Sequence, residues 1–263
     1  MHYQGIFFDF DYTLGDSTIP ILRGYQEGFR ALGWDAPTLE QVRPTIGMTL
    51  MEGYRQLTGD QDSGRADEFY HQFQLSVGEL AGPEGRRVMV EESCLLPGAV
   101  ETLTALKLRG VNVAIVSTKL AVTIREIFQY NHADDLLDLI VGGRDVKHNK
   151  PDPEGLHLAM TKLGLKPEQV LFCGDTVIDA QAAKSAGVDF CAVLNGTTPG
   201  EAFDGYPHVH IAQDLWDVKK WLGVCACPIF FHQVLAGDKA TSPTNSGLRQ
   251  RTRCPLKVSA SHG

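Results

Sequence analysis

Short apolar runs along this chain alternate with stretches whose apolar residues recur at helical spacing. The runs Gly5 to Phe10, Val111 to Ser117, Leu139 to Gly142, Val170 to Gly174, Phe190 to Leu194 and Val209 to Ile211 read as buried strands. Between them, Val100 to Arg109, Ala121 to Tyr130, Pro153 to Leu163 and Asp179 to Ala186 read as helices, with Gly110, Gly164 and Gly187 placed to stop them. Strand and helix in alternation predict an α/β fold with a parallel sheet. From the first strand to Pro97 the pattern changes to helices with scattered glycines: Ile21 to Leu32, Leu39 to Val42, Thr49 to Leu57 and Ala66 to Leu80. That stretch reads as an inserted helical unit whose aromatics, Phe69, Tyr70 and Phe73, form a core. The expected division is a sheet core from 1–14 and 95–222, a helical insert from 15–94, and an atypical tail from 223–263.

Composition narrows the function. The chain has 263 residues, 43% of them hydrophobic and 21% charged, enough for one large core and a smaller one. A net charge of −8 disfavours nucleic acid as a partner and suits a protein that recruits a divalent cation before it meets an anion. No basic leader precedes the first strand and no stretch is long enough to span a bilayer, so the expectation is a cytoplasmic protein without a membrane partner. The six cysteines form no disulfide framework. In the tail, lost periodicity predicts disorder, and Cys225, Cys227 and Cys254 lack the paired spacing of a zinc site.

The chemistry begins in Phe8-Asp9-Phe10-Asp11-Tyr12-Thr13. Carboxylates are costly inside a strand, so these two belong where it emerges. In extended chain Asp9 and Asp11 point to one side, where a single cation or phosphate feels both. Ser117 and Thr118, and later Asp175, fall at the carboxyl ends of other strands, where ligands gather in parallel sheets. Taken in order, Asp9-Phe10-Asp11-Tyr12-Thr13, then Ser117, then Lys150 in Lys150-Pro151-Asp152-Pro153, then Gly174-Asp175-Thr176-Val177-Ile178-Asp179 resemble the four motifs of the haloacid dehalogenase superfamily, over residues 1–222.

That resemblance implies a Rossmann-like parallel sheet with an inserted helical cap, and a role for each residue. Asp9 would attack phosphorus and form an aspartyl phosphate. Asp11 would protonate the leaving oxygen and then deprotonate water. Mg²⁺ would be held by Asp9, the backbone carbonyl of Asp11 and Asp175, with Asp179 as a ligand or just behind one. Ser117 and the Thr118 amide would bind the phosphoryl oxygens, Lys150 would neutralise charge, and Thr13 would order the loop. Asp145 and Asp152 read as local caps or solvated surface.

The scaffold hosts several reactions, and residues must choose among them. Dehalogenases of the family lack the second aspartate, so Asp11 argues for phosphoryl transfer. Phosphonate hydrolysis there needs a cap lysine, and the first lysine of this chain is Lys107. The segment Thr45-Ile46-Gly47-Met48-Thr49-Leu50 resembles the phosphoglycolate phosphatase branch, with Gly47 approaching the site and Arg43, backed by Arg23 and Arg55, contacting a substrate anion. Gly15 would lie near the cap hinge, and Tyr12 stands where the family most often has glycine, narrowing the mouth. The expected partner is a small phosphorylated metabolite, phosphoglycolate first, met by a monomer or homodimer. The alternatives are a phosphomutase and a protein that binds phosphate without turning it over.

Overall fold

In a computed structural model of the protein, which describes residues 2–80 and 85–224, the central strand is the first one. β1 (Gly5–Phe8) is followed by the two-residue β2 (Gly15–Asp16), then by the helices α1 (Thr18–Ala31), α2 (Leu39–Val42), α3 (Leu50–Thr58), α4 (Ser63–Ser76) and α5 (Val88–Glu91). The chain returns through β3 (Cys94–Leu95) and continues as α6 (Ala99–Lys107), β4 (Asn112–Val116), α7 (Ala121–Tyr130), β5 (Leu139–Val141), α8 (Glu154–Leu163), β6 (Val170–Gly174), α9 (Val177–Ala186), β7 (Asp189–Val193), β8 (His210–Ala212) and α10 (Leu215–Trp221).

Six strands form one parallel sheet in the order β5-β4-β1-β6-β7-β8. β1 pairs with β4 on one side and β6 on the other, so the winding reverses at β1, the place where α/β sheets open a ligand crevice. Alternation along β1 sends Ile6 and Phe8 into one layer and Phe7 into the other. The first layer is completed by Leu103 and Leu106 of α6, Ile124 and Phe128 of α7, and Leu215 of α10. The second is filled by Leu156 and Met160 of α8 and by Ala180 and Ala183 of α9. Helices on both faces explain why the strands are continuously apolar rather than alternating. Gly164 and Gly187 end α8 and α9 in the left-handed conformation, as their positions predict.

The helices between β2 and β3 pack around their own aromatic cluster, with Tyr25, Phe29, Tyr54, Phe69 and Phe73 buried and Met89 beneath them. Tyr70, expected in that core, is half-buried, and its hydroxyl accepts from Arg144 at 2.7 Å. The two chain crossings into this insert pair with each other as an antiparallel ribbon, Gly15 with Leu95 and Asp16 with Cys94. Two-residue strands carry no readable period, and the sequence predicts neither. No described helix is long and apolar enough to cross a membrane. Residues 225–263, where disorder is expected and where Cys225, Cys227 and Cys254 fall, lie outside the described residues.

Candidate active site

β1 stops at Phe8, two residues earlier than the apolar run suggests, because the Phe10 carbonyl leaves the ladder to accept from the amides of Thr13, Leu14 and Gly15. That turn lifts Asp9 and Asp11 off the end of the sheet while the Asp9 amide still donates to the Cys173 carbonyl of β6 at 2.9 Å. Tyr12 sits in the turn at a φ of 58°, the left-handed region that glycine occupies without strain. The Tyr12 hydroxyl shares a hydrogen bond of 2.7 Å with the hydroxyl of Thr18. Arg43 lies on the side of the same phenol, where its charge favours the phenolate, and it is not among the residues that line the cavity beside Asp11. Arg23, behind it, pairs with Glu92 at 3.0 Å.

The ends of β4, β1 and β6, neighbours in the sheet, bring the predicted acids and their partners together. Lys150, delivered by the loop between β5 and α8, places its ammonium 2.9 Å from Asp9 Oδ1 and 2.5 Å from Asp179 Oδ1. Ser117, at the end of β4, favours the charged form of Asp9, and its own amide is tied to the Val141 carbonyl at 3.0 Å. Thr13 donates to Asp175 Oδ1 at 3.3 Å, which fastens the turn to the end of β6. Asp179 starts α9 in a capping box with Thr176: its Oδ2 accepts from the Thr176 hydroxyl at 2.6 Å and amide at 3.1 Å. Both Asp179 oxygens thus have partners within the protein. Gly174 and Gly196 leave room for these acids, since a Cβ on Gly196 would come within 2.1 Å of Asp175 Oδ2.

Electrostatics decides what the cluster can hold. Asp9, Asp175 and Asp179 are all but fully buried and bring carboxylate oxygens within 4.8 Å of one another. Burial first, then repulsion from Asp179 and Asp9, pushes the Asp175 carboxyl well above the usual range. Burial also raises Asp9, with Lys150 pulling the other way and Asp179 adding to the rise. Burial disfavours the Lys150 ammonium, but Asp179 and Asp9 outweigh it and hold its pKa above the usual lysine range. Three acids facing one ammonium leave the pocket short of positive charge, and Asp9 Oδ1, fully buried, has the Lys150 ammonium as its ion-pair partner. Hard oxygen donors and a surplus of negative charge fit a divalent cation that prefers oxygen ligands.

Two features escape sequence reasoning. Lys119, two residues past Ser117, sets its ammonium 3.0 and 3.3 Å from the two oxygens of Asp11, nearly out of solvent and over the Phe10 ring. A lysine closing a Ser-Thr-Lys strand end is the only signal it leaves. The second is a contact from the insert: the Thr118 hydroxyl, within 3.1 Å of the Gly47 carbonyl and 3.3 Å of that of Met48, donates to them. Gly47 turns there with a φ of 100°, which brings the inserted loop against the strand ends. Asp145 accepts from the Gly142 amide and Asp152 from the Glu154 amide, the local roles expected of them.

With this geometry in view, comparison with known proteins is direct. Residues 6–193 match the haloacid dehalogenase-like hydrolase family, and the chain belongs to it. It is 33% identical over 235 residues to a phosphoglycolate phosphatase of Escherichia coli K12, covering 84% of this chain and 93% of that one. A phosphoglycolate phosphatase of Pseudomonas putida is 29% identical over 224 residues, covering 85% and 80%. Among solved structures, a haloacid dehalogenase-like hydrolase from Bacteroides fragilis superposes with a TM-score of 0.76 at 36% identity, over 82% of this chain and 99% of the other.

Proposed function

We propose that the protein is a Mg²⁺-dependent phosphatase that hydrolyses a small phosphomonoester through a phosphorylated Asp9. The observation that carries this is the buried Asp9 carboxylate, paired with Lys150 and clustered with Asp175 and Asp179 at the reversal point of the sheet. Relatives named phosphoglycolate phosphatase support a phosphomonoester as substrate class and make phosphoglycolate the reference compound.

The residues divide the work. Asp9 attacks phosphorus, and the alcohol leaves from the opposite side. Lys150 holds Asp9 in its reactive orientation and offers positive charge to the phosphoryl oxygens, while Ser117 donates a hydrogen bond to them. Asp11 gives its proton to the leaving alkoxide and later takes one from the water that attacks the Asp9 phosphate. Asp9, Asp175 and the backbone carbonyl of Asp11 would hold the cation, with Asp179 supporting them through Lys150 and Thr176. When bound, the cation screens the repulsion between a carboxylate and a phosphate dianion. The inserted helices act as a cap over the strand ends, and their contact through Thr118 with Gly47 and Met48 shields the acyl phosphate from stray water.

The test is p-nitrophenyl phosphate hydrolysis by wild type and Asp9→Asn, each with Mg²⁺ and with EDTA. Turnover that needs both the metal and Asp9 is the expected result. Undiminished turnover by a folded Asp9→Asn protein overturns the reading.

A further inference from the structure

On the Asp11 side of the site, a cavity of about 300 Å³ opens between the inserted helices and the strand ends. Asp11, Thr118, Lys119 and Asn149 line its base, and neither Asp9 nor Ser117 reaches it. In an in-line displacement the leaving oxygen lies opposite the nucleophile, and the acid that protonates it must touch it. The cavity beside Asp11 is therefore where the alcohol portion of the substrate sits.

Its walls are mostly apolar: Ile21, Met48, Met51, Phe73, Met89 and Leu120. Of the charged groups on it, Lys119 is engaged by both oxygens of Asp11; Glu79 accepts from Gln74 at 3.2 Å, and the exposed Arg144, which donates to the neutral Tyr70 hydroxyl, keeps its charge toward solvent. A carboxylate carried into the apolar part of this space gives up its hydration for thioethers and an aromatic ring, and Glu79 offsets the attraction that the exposed Arg144 offers it. An apolar body gains there, and the methionines adapt to its shape.

We infer that this cavity binds an uncharged, apolar alcohol larger than the two-carbon glycolyl group, so that the preferred substrates are phosphomonoesters of aryl-substituted or longer alkyl alcohols rather than phosphoglycolate. The inference rests on the Asp9 phosphatase reading and names the substrate class of that same site.

Ethyl, hexyl and phenethyl phosphates share an alkyl leaving oxygen, so differences among them report the cavity rather than the need for acid catalysis. For the Mg²⁺-loaded wild type, kcat/KM is expected to climb by roughly 10- to 200-fold from ethyl to phenethyl phosphate, the span that one or two buried groups command in an apolar pocket. Phosphoglycolate should do no better than ethyl phosphate, and Met51→Lys should reverse that order. Calorimetry on Asp9→Asn, with hexylphosphonate and phosphonopropionate as probes, should give the same ranking without turnover. A flat response to size, or wild-type preference for phosphoglycolate, overturns the inference while leaving the phosphatase reading intact. If no ester is hydrolysed, the phosphatase reading falls, and tighter binding of phosphonopropionate than of hexylphosphonate would sink the cavity assignment as well.

Discussion

Lys119 holds Asp11 by both oxygens, and the consequence is mechanical as much as electrostatic. A proton donor works only within hydrogen-bond reach of the leaving oxygen, and an aspartate on a tight turn needs something to fix its side-chain torsion. Lys119→Met is expected to lower kcat on alkyl phosphates by about 10- to 100-fold, less than the roughly 10²- to 10⁴-fold that general acid catalysis contributes when lost outright. p-Nitrophenyl phosphate, whose phenolate departs without a proton, should be affected much less. Equal losses on both esters, measured as kcat, would mean that Lys119 does not act through Asp11. The acids, Ser117 and Lys150 were legible because the residue types follow a fixed order along the chain: Asp9, Asp11, Ser117 and Asp175 just past strands, Lys150 before α8, and Asp179 in the first turn of α9. Lys119 was not, because its role depends on a contact across 108 residues that no local pattern encodes. Gly196 was hidden for a similar reason, since only the folded chain brings its missing side chain against Asp175.

Among the elements, α1 and α4 illustrate how the insert is built from small against large. Gly24 of α1 faces the Phe73 ring so closely that a Cβ would lie 2.4 Å from it. Gly24→Ala removes a helix-weakening glycine, a gain of up to about 1 kcal/mol. It also overpacks a buried ring, a cost of about 1–3 kcal/mol. The expected net is a loss of stability, read as a lower denaturant midpoint with an unchanged slope; a higher midpoint would show that α4 shifts freely. Tyr25, in the same cluster, has its phenol pushed up to about 12 by burial, against which a hydrogen bond with Thr45 acts only in part. A raised folded pKa favours the neutral phenol in the native state. Its contribution is therefore complete below pH 10 and is lost as pH rises through 10 toward 12, worth about 2–3 kcal/mol by linkage. Unfolding titrations of wild type and Tyr25→Phe should run parallel at neutral pH, with the wild type falling more steeply above pH 10. Parallel curves throughout would refute the assignment to Tyr25. The long helices α1 and α4 of the insert were readable from periodicity, as was α7 of the sheet core, to the residue, whereas β2, β3 and α5 were too short to carry a period.

For the molecule as a whole, one strand organises everything. Because β1 lies between β4 and β6, the first acids of the chain land beside Ser117 and Asp175, from segments more than a hundred residues apart. Alternating strand and helix made the sheet legible in advance, and the right-handed crossovers of such folds leave few other ways to wind it. The strand order itself, and with it the reversal at β1, became visible only in three dimensions. The net charge of −8 and the buried acids agree in asking for a cation before an anion can approach.

The central claim is that Asp9 carries the phosphoryl group between two half-reactions. Rapid mixing of the Mg²⁺-loaded Asp11→Asn protein with substrate, acid quenching and peptide mass spectrometry test it most directly, because loss of the base slows release of the intermediate. A phosphoryl group is expected on the peptide containing Asp9, and none when Asp9→Asn is added to the same chain. Phosphate released in a single turnover with no phosphorylated peptide, or with the label on another residue, would contradict it.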